Sequence, residues 1–267
     1  MLYFTKMNGA GNDFVMIDNR LNVFQLSTTQ IAQICDRNRG VGADGLIAVE
    51  PTQTTAHFRM RYYNADGSEA EMCGNGARCF ARFAQKITAQ SGPIHFETLA
   101  GEIVGHCIGD LVQIHMSLPH SLTLNTPLQV AHHSLTVHSV NTGVPHAVVF
   151  VDDLPSTPVR ELGHALRHHP HFAPKGTNAN FASILSPSSI AIRTYERGVE
   201  DETLACGTGM VAAALLFHEQ TNAPSPIQVL VKGGDTLEVG FVKSSNSYSQ
   251  ITLTGPADFV FEGSFPL

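Results

Sequence analysis

Two cysteines stand in the same short setting. Cys73-Gly74-Asn75-Gly76 leads into Ala77-Arg78-Cys79-Phe80-Ala81-Arg82-Phe83, and Cys206-Gly207-Thr208-Gly209 leads into Met210-Val211-Ala212-Ala213-Ala214-Leu215-Leu216-Phe217. Each thiol precedes two glycines and an apolar run, which predicts a cysteine at a helix N-terminus. There the unpaired N–H groups and the positive end of the helix dipole favour a thiolate and also bind an anion such as a carboxylate. A single buried cysteine is readily a small hydrophobe. Two in matching contexts are not demanded by packing and point to chemistry. Inverting an α-carbon without a cofactor needs a base on one face and an acid on the other, and a thiolate–thiol pair supplies both. The backbone N–H groups of Gly74, Asn75, Gly207 and Thr208 would hold a substrate carboxylate as its charge grows. No metal and no cofactor enter this scheme.

The elements that must position these thiols also repeat. Met60-Arg61-Tyr62-Tyr63-Asn64 precedes the first cysteine and Ile192-Arg193-Thr194-Tyr195-Glu196 the second, each followed by an acidic loop. Glycine-broken strand pairs follow both helices, at Thr98 to Ile103 and Val231 to Leu237. A period of half the chain is too long for a solenoid, so a duplicated domain is expected, with equivalent residues facing each other across a cleft. The division reads as 1–118 and 119–256, with the tail 257–267 packing on the first half and the polar, proline-containing stretch Pro119 to Pro127 as linker. Helical patterns fall at Thr28 to Arg37, Gly76 to Lys86, Val159 to His168 and Thr208 to His218. Eleven short alternating or β-branched runs read as strands, from Phe14 to Ile17 through Gln250 to Leu253. The helix Met210 to Phe217 is apolar nearly all round and should be buried. The expected fold is α/β (α+β), two pseudo-symmetric domains with strands wrapped around a central helix.

Composition excludes more than it identifies. With 267 residues, 43% hydrophobic and 15% charged, the chain can bury a sizeable core and is not disordered. A net charge of -7 without a basic run argues against nucleic acid or an anionic membrane as partner. The longest apolar stretches are too short to span a bilayer, and Met1 to Lys6 lacks the pattern of a signal peptide, so the cytoplasm is expected. Five cysteines do not suggest a disulfide framework. Cys35 in a helical run, Cys79 within the first apolar helix, and Cys107 after a strand all read as packing residues. Gly40-Val41-Gly42-Ala43-Asp44-Gly45 matches a dinucleotide pattern literally, yet it follows a helix and precedes a strand, the reverse of what such a loop needs. His164 and His168, with His169 and His171, lack an acidic or cysteine ligand at zinc-like spacing and read as a solvated turn. No Gly-x-Ser-x-Gly elbow is present.

Taken together, Gly11-Asn12-Asp13-Phe14, Asn64-Ala65-Asp66-Gly67-Ser68, Met72-Cys73-Gly74-Asn75-Gly76-Ala77-Arg78-Cys79, Tyr195-Glu196-Arg197-Gly198 and Ala205-Cys206-Gly207-Thr208-Gly209 resemble the diaminopimelate epimerase family. The resemblance covers essentially the whole chain. It implies interconversion of LL- and meso-diaminopimelate without pyridoxal phosphate or metal, for lysine and peptidoglycan precursors, by a homodimer acting on a small amino acid. Carried over by position, it makes Cys73 and Cys206 the acid–base pair, flanked by His146 and Glu196. Asn12, Asn64, Asn178, Glu196 and Arg197 would contact substrate: a guanidinium suits a carboxylate, a carboxylate an ammonium, and amides either. The alternative is a proline racemase-like or other cofactor-independent racemase, although such relatives resemble Cys-Gly-His-Gly where Asn75 stands here. One departure is Val144 in Gly143-Val144-Pro145-His146, where the family usually has asparagine. Relaxed activity on glutamate is expected from it, unless Asn141 or Thr142 compensates.

Overall fold

The structure is a computed structural model, and it describes residues 1–245 and 247–267. The chain divides into two compact units, Met1–His115 with Gly255–Leu267, and Met116–Thr254.

The first unit opens with β1 (Leu2–Gly9) and β2 (Asn12–Asp18), antiparallel neighbours. Helix α1 (Thr28–Cys35) then crosses over to β3 (Gly45–Glu50), parallel to β2. Its start is fixed by a capping box in which Ser27 Oγ accepts from Gln30 N and Gln30 Oε1 accepts from Ser27 N. β4 (Phe58–Asn64) turns back along β3, and the two-residue β5 (Glu69–Ala70) pairs with it. Helix α2 (Gly74–Thr88) follows, and then β6 (Ile94–Thr98) parallel to β4, β7 (Gly101–Ile108) and β8 (Leu111–His115).

The second unit repeats this order. It comprises β9 (His120–Val130), β10 (His133–Asn141), β11 (Pro145–Phe150), α3 (Val159–Arg167), β12 (Asn178–Ser186), β13 (Ser189–Glu196), β14 (Asp201–Thr203), α4 (Gly207–Thr221), β15 (Ile227–Leu230), β16 (Thr236–Lys243) and β17 (Tyr248–Pro256). Pairings repeat as well: β10–β11 antiparallel, β11–β12 parallel across α3, β13–β15 parallel across α4. The last strand, β18 (Asp258–Phe265), pairs antiparallel with β1, as β9 does with β10. The duplicated α+β fold expected from sequence is therefore present, strand for strand.

Each unit wraps its strands around one central helix. Helix α2 packs against β1 to β4 and β6 to β8, and α4 against β10 to β13, β15 and β16. Nine consecutive residues of α4, Gly209 to Phe217, are buried, as an all-apolar helix requires. Smaller cores lie under the crossover helices: Ile31, Ile34 and Cys35 meet Leu2, Val15, Ile17 and Leu46, while Val159, Leu162 and Leu166 meet Val149, Phe181 and Tyr195.

Two expectations need correction. The stretch Pro119 to Pro127 is not a linker but most of β9. Leu122, Leu124, Thr126, Leu128 and Val130 alternate inward along it, and Pro127 is accommodated opposite Thr136. Cys107 lies within β7 rather than after a strand, and is half-buried.

Candidate active site

Cys73 and Cys206 are the N-cap residues of α2 and α4, both in extended backbone (φ -135°, ψ 123° and φ -127°, ψ 108°), and neither thiol caps its helix. The first intrahelical bonds run from Ala77 N and Met210 N to the two cysteine carbonyls, at 2.7 and 2.9 Å. The N–H groups of Gly74, Asn75, Gly207 and Thr208 thus lie in the first turn, ahead of any intrahelical acceptor. The helices match to their ends. Both run 15 residues, and both stop on a left-handed residue, Ala89 or Asn222, after Thr88 or Thr221 donates its hydroxyl back to Ala84 or Phe217.

The approach to each cysteine is braced identically. Arg61 on β4 pairs with Glu69 of β5 at 3.0 Å, and Arg193 on β13 with Glu202 of β14 at 2.6 Å. Each brace leaves three residues to the cysteine. Arg193 additionally donates to the carbonyls of Leu154, Pro155 and Thr157, tying down the chain before α3.

In the first unit a polar chain fixes Asn12 and Asn75. Arg37 grips Asp13 through two bonds of 2.9 and 2.8 Å and reaches Asp44 at 2.8 Å. Asp44 accepts from Asn12 Nδ2 at 2.9 Å, Asn12 Oδ1 accepts from Asn75 Nδ2 at 2.6 Å, and Asn75 Oδ1 accepts from the wholly buried Arg78 at 2.9 Å. Burial alone would raise the Asp13 carboxyl, but hydrogen bonds from Arg37 and Lys6 outweigh it and hold it at about 2. Asn12 therefore keeps one amide N–H beyond these bonds. Asn64 lies apart from this chain at the end of β4, its amide donating to Ser68 Oγ at 3.1 Å.

The second unit gathers more of the expected residues. His146 and Asn178 are register partners on β11 and β12. The Asn178 amide accepts from Arg197 N at 2.9 Å and donates to Pro145 O at 3.2 Å, so it shapes the turn that presents Glu196 and Arg197. Burial raises the Glu196 carboxyl, opposed by hydrogen bonds from Thr203 Oγ1 at 2.5 Å and from the Cys206 thiol. Cys206 Sγ is also 3.8 Å from Thr208 Oγ1. Thr142, buried, donates to Thr208 O at 2.9 Å, and the Asn141 side-chain oxygen Oδ1 accepts from Gly143 N at 2.9 Å. The Thr142 hydroxyl proton is thus committed to α4.

The other thiols are packing residues. Burial pushes Cys35 up to about 11 and Cys79 up to about 12, far from a thiolate at neutral pH. The histidine-rich segment is equally structural: His164 Nδ1 meets Tyr195 Oη at 3.2 Å and His168 approaches Glu200 at 3.7 Å. Residues that sequence reasoning missed are the supporting ones: Asp44 and Arg37 behind Asn12, Arg78 behind Asn75, Thr203 behind Glu196, and Asn180 and Thr194 behind His146.

The fold is shared with solved structures of low identity. A hydroxyproline epimerase from Agrobacterium vitis aligns with a TM-score of 0.70 at 16% identity, over 98% of this chain and 90% of that one. A phenazine biosynthesis protein of the PhzF family from Bacillus anthracis aligns with a TM-score of 0.72 at 15% identity, over 100% and 98%. Sequence narrows this class. The diaminopimelate epimerase family model matches residues 4–116 and 138–260. Relatives named diaminopimelate epimerase include those of Chlorobaculum tepidum, 44% identical over 98% of this chain and 100% of the relative, and of a Hydrogenobaculum species, 42% identical over 98% of each. The chain belongs to the diaminopimelate epimerase family, and is an isomerase.

Proposed function

We propose that this protein interconverts LL- and meso-diaminopimelate, with Cys73 and Cys206 as the two bases. One thiolate takes the α-proton, the charge spreads into the adjoining carboxylate, and the other thiol delivers a proton to the opposite face. The roles exchange for the reverse isomer. N–H groups of Gly74, Asn75, Gly207 and Thr208 stabilise the carboxylate as its charge grows. Glu196 accepts the Cys206 proton when that thiol ionises, a role suited to its raised affinity for protons. Arg197 and the remaining amide N–H groups of Asn12, Asn64 and Asn178 grip the distal amino-acid end.

The observation that carries this reading is the repeated cysteine N-cap in a chain of this family. Replacing Cys73 or Cys206 by alanine is expected to lower kcat roughly 10²- to 10⁴-fold or more, the usual worth of a positioned acid or base. Wild-type turnover in either alanine variant would overturn the two-base scheme. The activity belongs to lysine and peptidoglycan precursor synthesis, and dependence on two reduced thiols supports a cytoplasmic location. A homodimer is the assembly the family resemblance implies. Val144 loosens the grip on the distal end, so slow racemisation of glutamate is expected.

A further inference from the structure

Asn180 is fully buried in β12, where asparagine is disfavoured and a buried amide is costly unless bonded. Its Nδ2 faces two partners, Ala147 O at 2.9 Å and His146 Nδ1 at 3.1 Å, while Oδ1 accepts from Thr194 Oγ1 at 2.9 Å. A carbonyl oxygen only accepts, so the atom facing Ala147 O must be the amide nitrogen, whichever way amides are otherwise assigned. That nitrogen only donates. His146 Nδ1 is therefore the bare nitrogen of the ring, and in a neutral imidazole the proton must sit on Nε2.

Protonating the ring would set an Nδ1–H against the amide hydrogens. Burial and the nearby Arg197 charge act in the same direction and hold the imidazole down to about 3. His146 is 1% exposed, and its Nε2 is, among the described residues, the buried side-chain nitrogen or oxygen that has no partner. A buried N–H donor without an acceptor is costly and is retained where an acceptor arrives during function. The first turn of α4 presses on the same amide: a Cβ at Gly209 would lie 2.4 Å from Asn180 Oδ1 and 3.2 Å from Cys206 Sγ. The amide that orients His146 thus borders the reactive cysteine.

We propose that Asn180 is the positioning residue that fixes His146 as the Nε2–H tautomer, so that this histidine serves the reaction as a hydrogen-bond donor to an anionic sulfur or oxygen and never as a base. The inference rests on the epimerase reading for what the donor meets, and on the Asn180 contacts alone for the tautomer. Thr194 completes the device by occupying Oδ1, leaving the amide no reason to turn.

The test uses the full-length enzyme labelled with ¹⁵N-histidine, with His146→Gln assigning the resonance. Two-bond proton–nitrogen correlation near neutral pH is expected to show a protonated Nε2 and a bare Nδ1. An Nδ1–H tautomer or a charged ring in the parent overturns the proposal. Asn180→Asp places an acceptor beside Nδ1 and is expected to draw a proton there. It should also lower kcat about 10²- to 10³-fold, the loss typical of removing one transition-state donor, with a smaller change in KM. Retention of the Nε2–H tautomer in that variant, or a moved proton with unchanged kcat, also overturns it. Absence of diaminopimelate turnover in the parent would remove the epimerase reading, while the parent tautomer still decides the positioning claim.

Discussion

The second glycine of each cysteine motif occupies the same helical position, yet the two should respond differently to alanine. At Gly209 the new Cβ would stand 2.4 Å from Asn180 Oδ1. That atom cannot simply swing away, because its amide is held by Thr194, Ala147 O and His146 at 2.9 to 3.1 Å. It must recede by about 1 Å to restore ordinary contact. Overpacking of this kind costs about 1–3 kcal/mol, and alanine returns about 1 kcal/mol of helix propensity, so net stability should fall by about 0–2 kcal/mol. Activity should suffer more. A shift of that size in a group that sets the catalytic geometry is worth about a hundredfold in kcat/KM. At Gly76 the Cβ would meet Ile47 Cδ1 at 2.8 Å, with Met60 Cε and Phe14 Cζ at 3.5 Å. A terminal methyl can rotate aside, so Gly76→Ala should cost under about 1 kcal/mol and change kcat/KM less than threefold or so. Denaturant unfolding and epimerase kinetics on the two variants compare them directly. A Gly209→Ala protein with parental kcat/KM and a raised Tm would show that helix propensity alone governs the position and refute the argument.

Further outcomes follow from the same contacts. His146 titrates at about 3 when folded against an ordinary 6.5, so the unfolded chain binds a proton that the folded chain does not between those values. Stability should therefore fall as pH drops from about 6.5 toward 3, by up to about 1.4 kcal/mol per unit, and His146→Gln should flatten that slope; identical slopes in unfolding titrations would contradict it. Asp13 is depressed to about 2 from 3.8, so its contribution is present above about 4 and is lost as pH falls through 2. Arg37→Ala, which removes a half-exposed partner, should cost about 0.5–1 kcal/mol at pH 7 and nothing below pH 2. Val144→Asn should raise the preference for diaminopimelate over glutamate by about 1.5–3 kcal/mol, one hydrogen bond to a charged group, measured as the ratio of kcat/KM values; an unchanged ratio makes Val144 a neutral replacement.

What was legible from residues depended on whether they act locally. The four helices and the two cysteine N-caps are local patterns of apolar periodicity and glycine, and all are readable in the sequence alone. β9 was hidden because its inward row, Leu122, Leu124, Thr126, Leu128 and Val130, alternates with Thr123, Asn125 and Pro127, and proline outweighed the alternation. β18 acquires its partner only through the fold, since Leu2 of β1 pairs with Phe265 across the whole chain. The site divides in the same way. Cys73, Cys206, Glu196 and Arg197 stand in motifs. Asn180 and Thr194 become partners only through the β12–β13 register, and Asp44 meets Asn12 only because β2 and β3 run side by side. An asparagine within a strand was the one clue to Asn180, because such a residue pays its burial through specific hydrogen bonds.

The most direct test is early-time conversion of a single diaminopimelate isomer in D₂O, with deuterium located in product and in recovered substrate. Two monoprotic thiols predict one deuterium at the inverted α-carbon of the product and none in the remaining substrate, from either direction. The deuterated product should be lost in both Cys73→Ala and Cys206→Ala. Product that retains its original α-proton, or substrate that gains deuterium as fast as product forms, would contradict a two-cysteine, two-base epimerase.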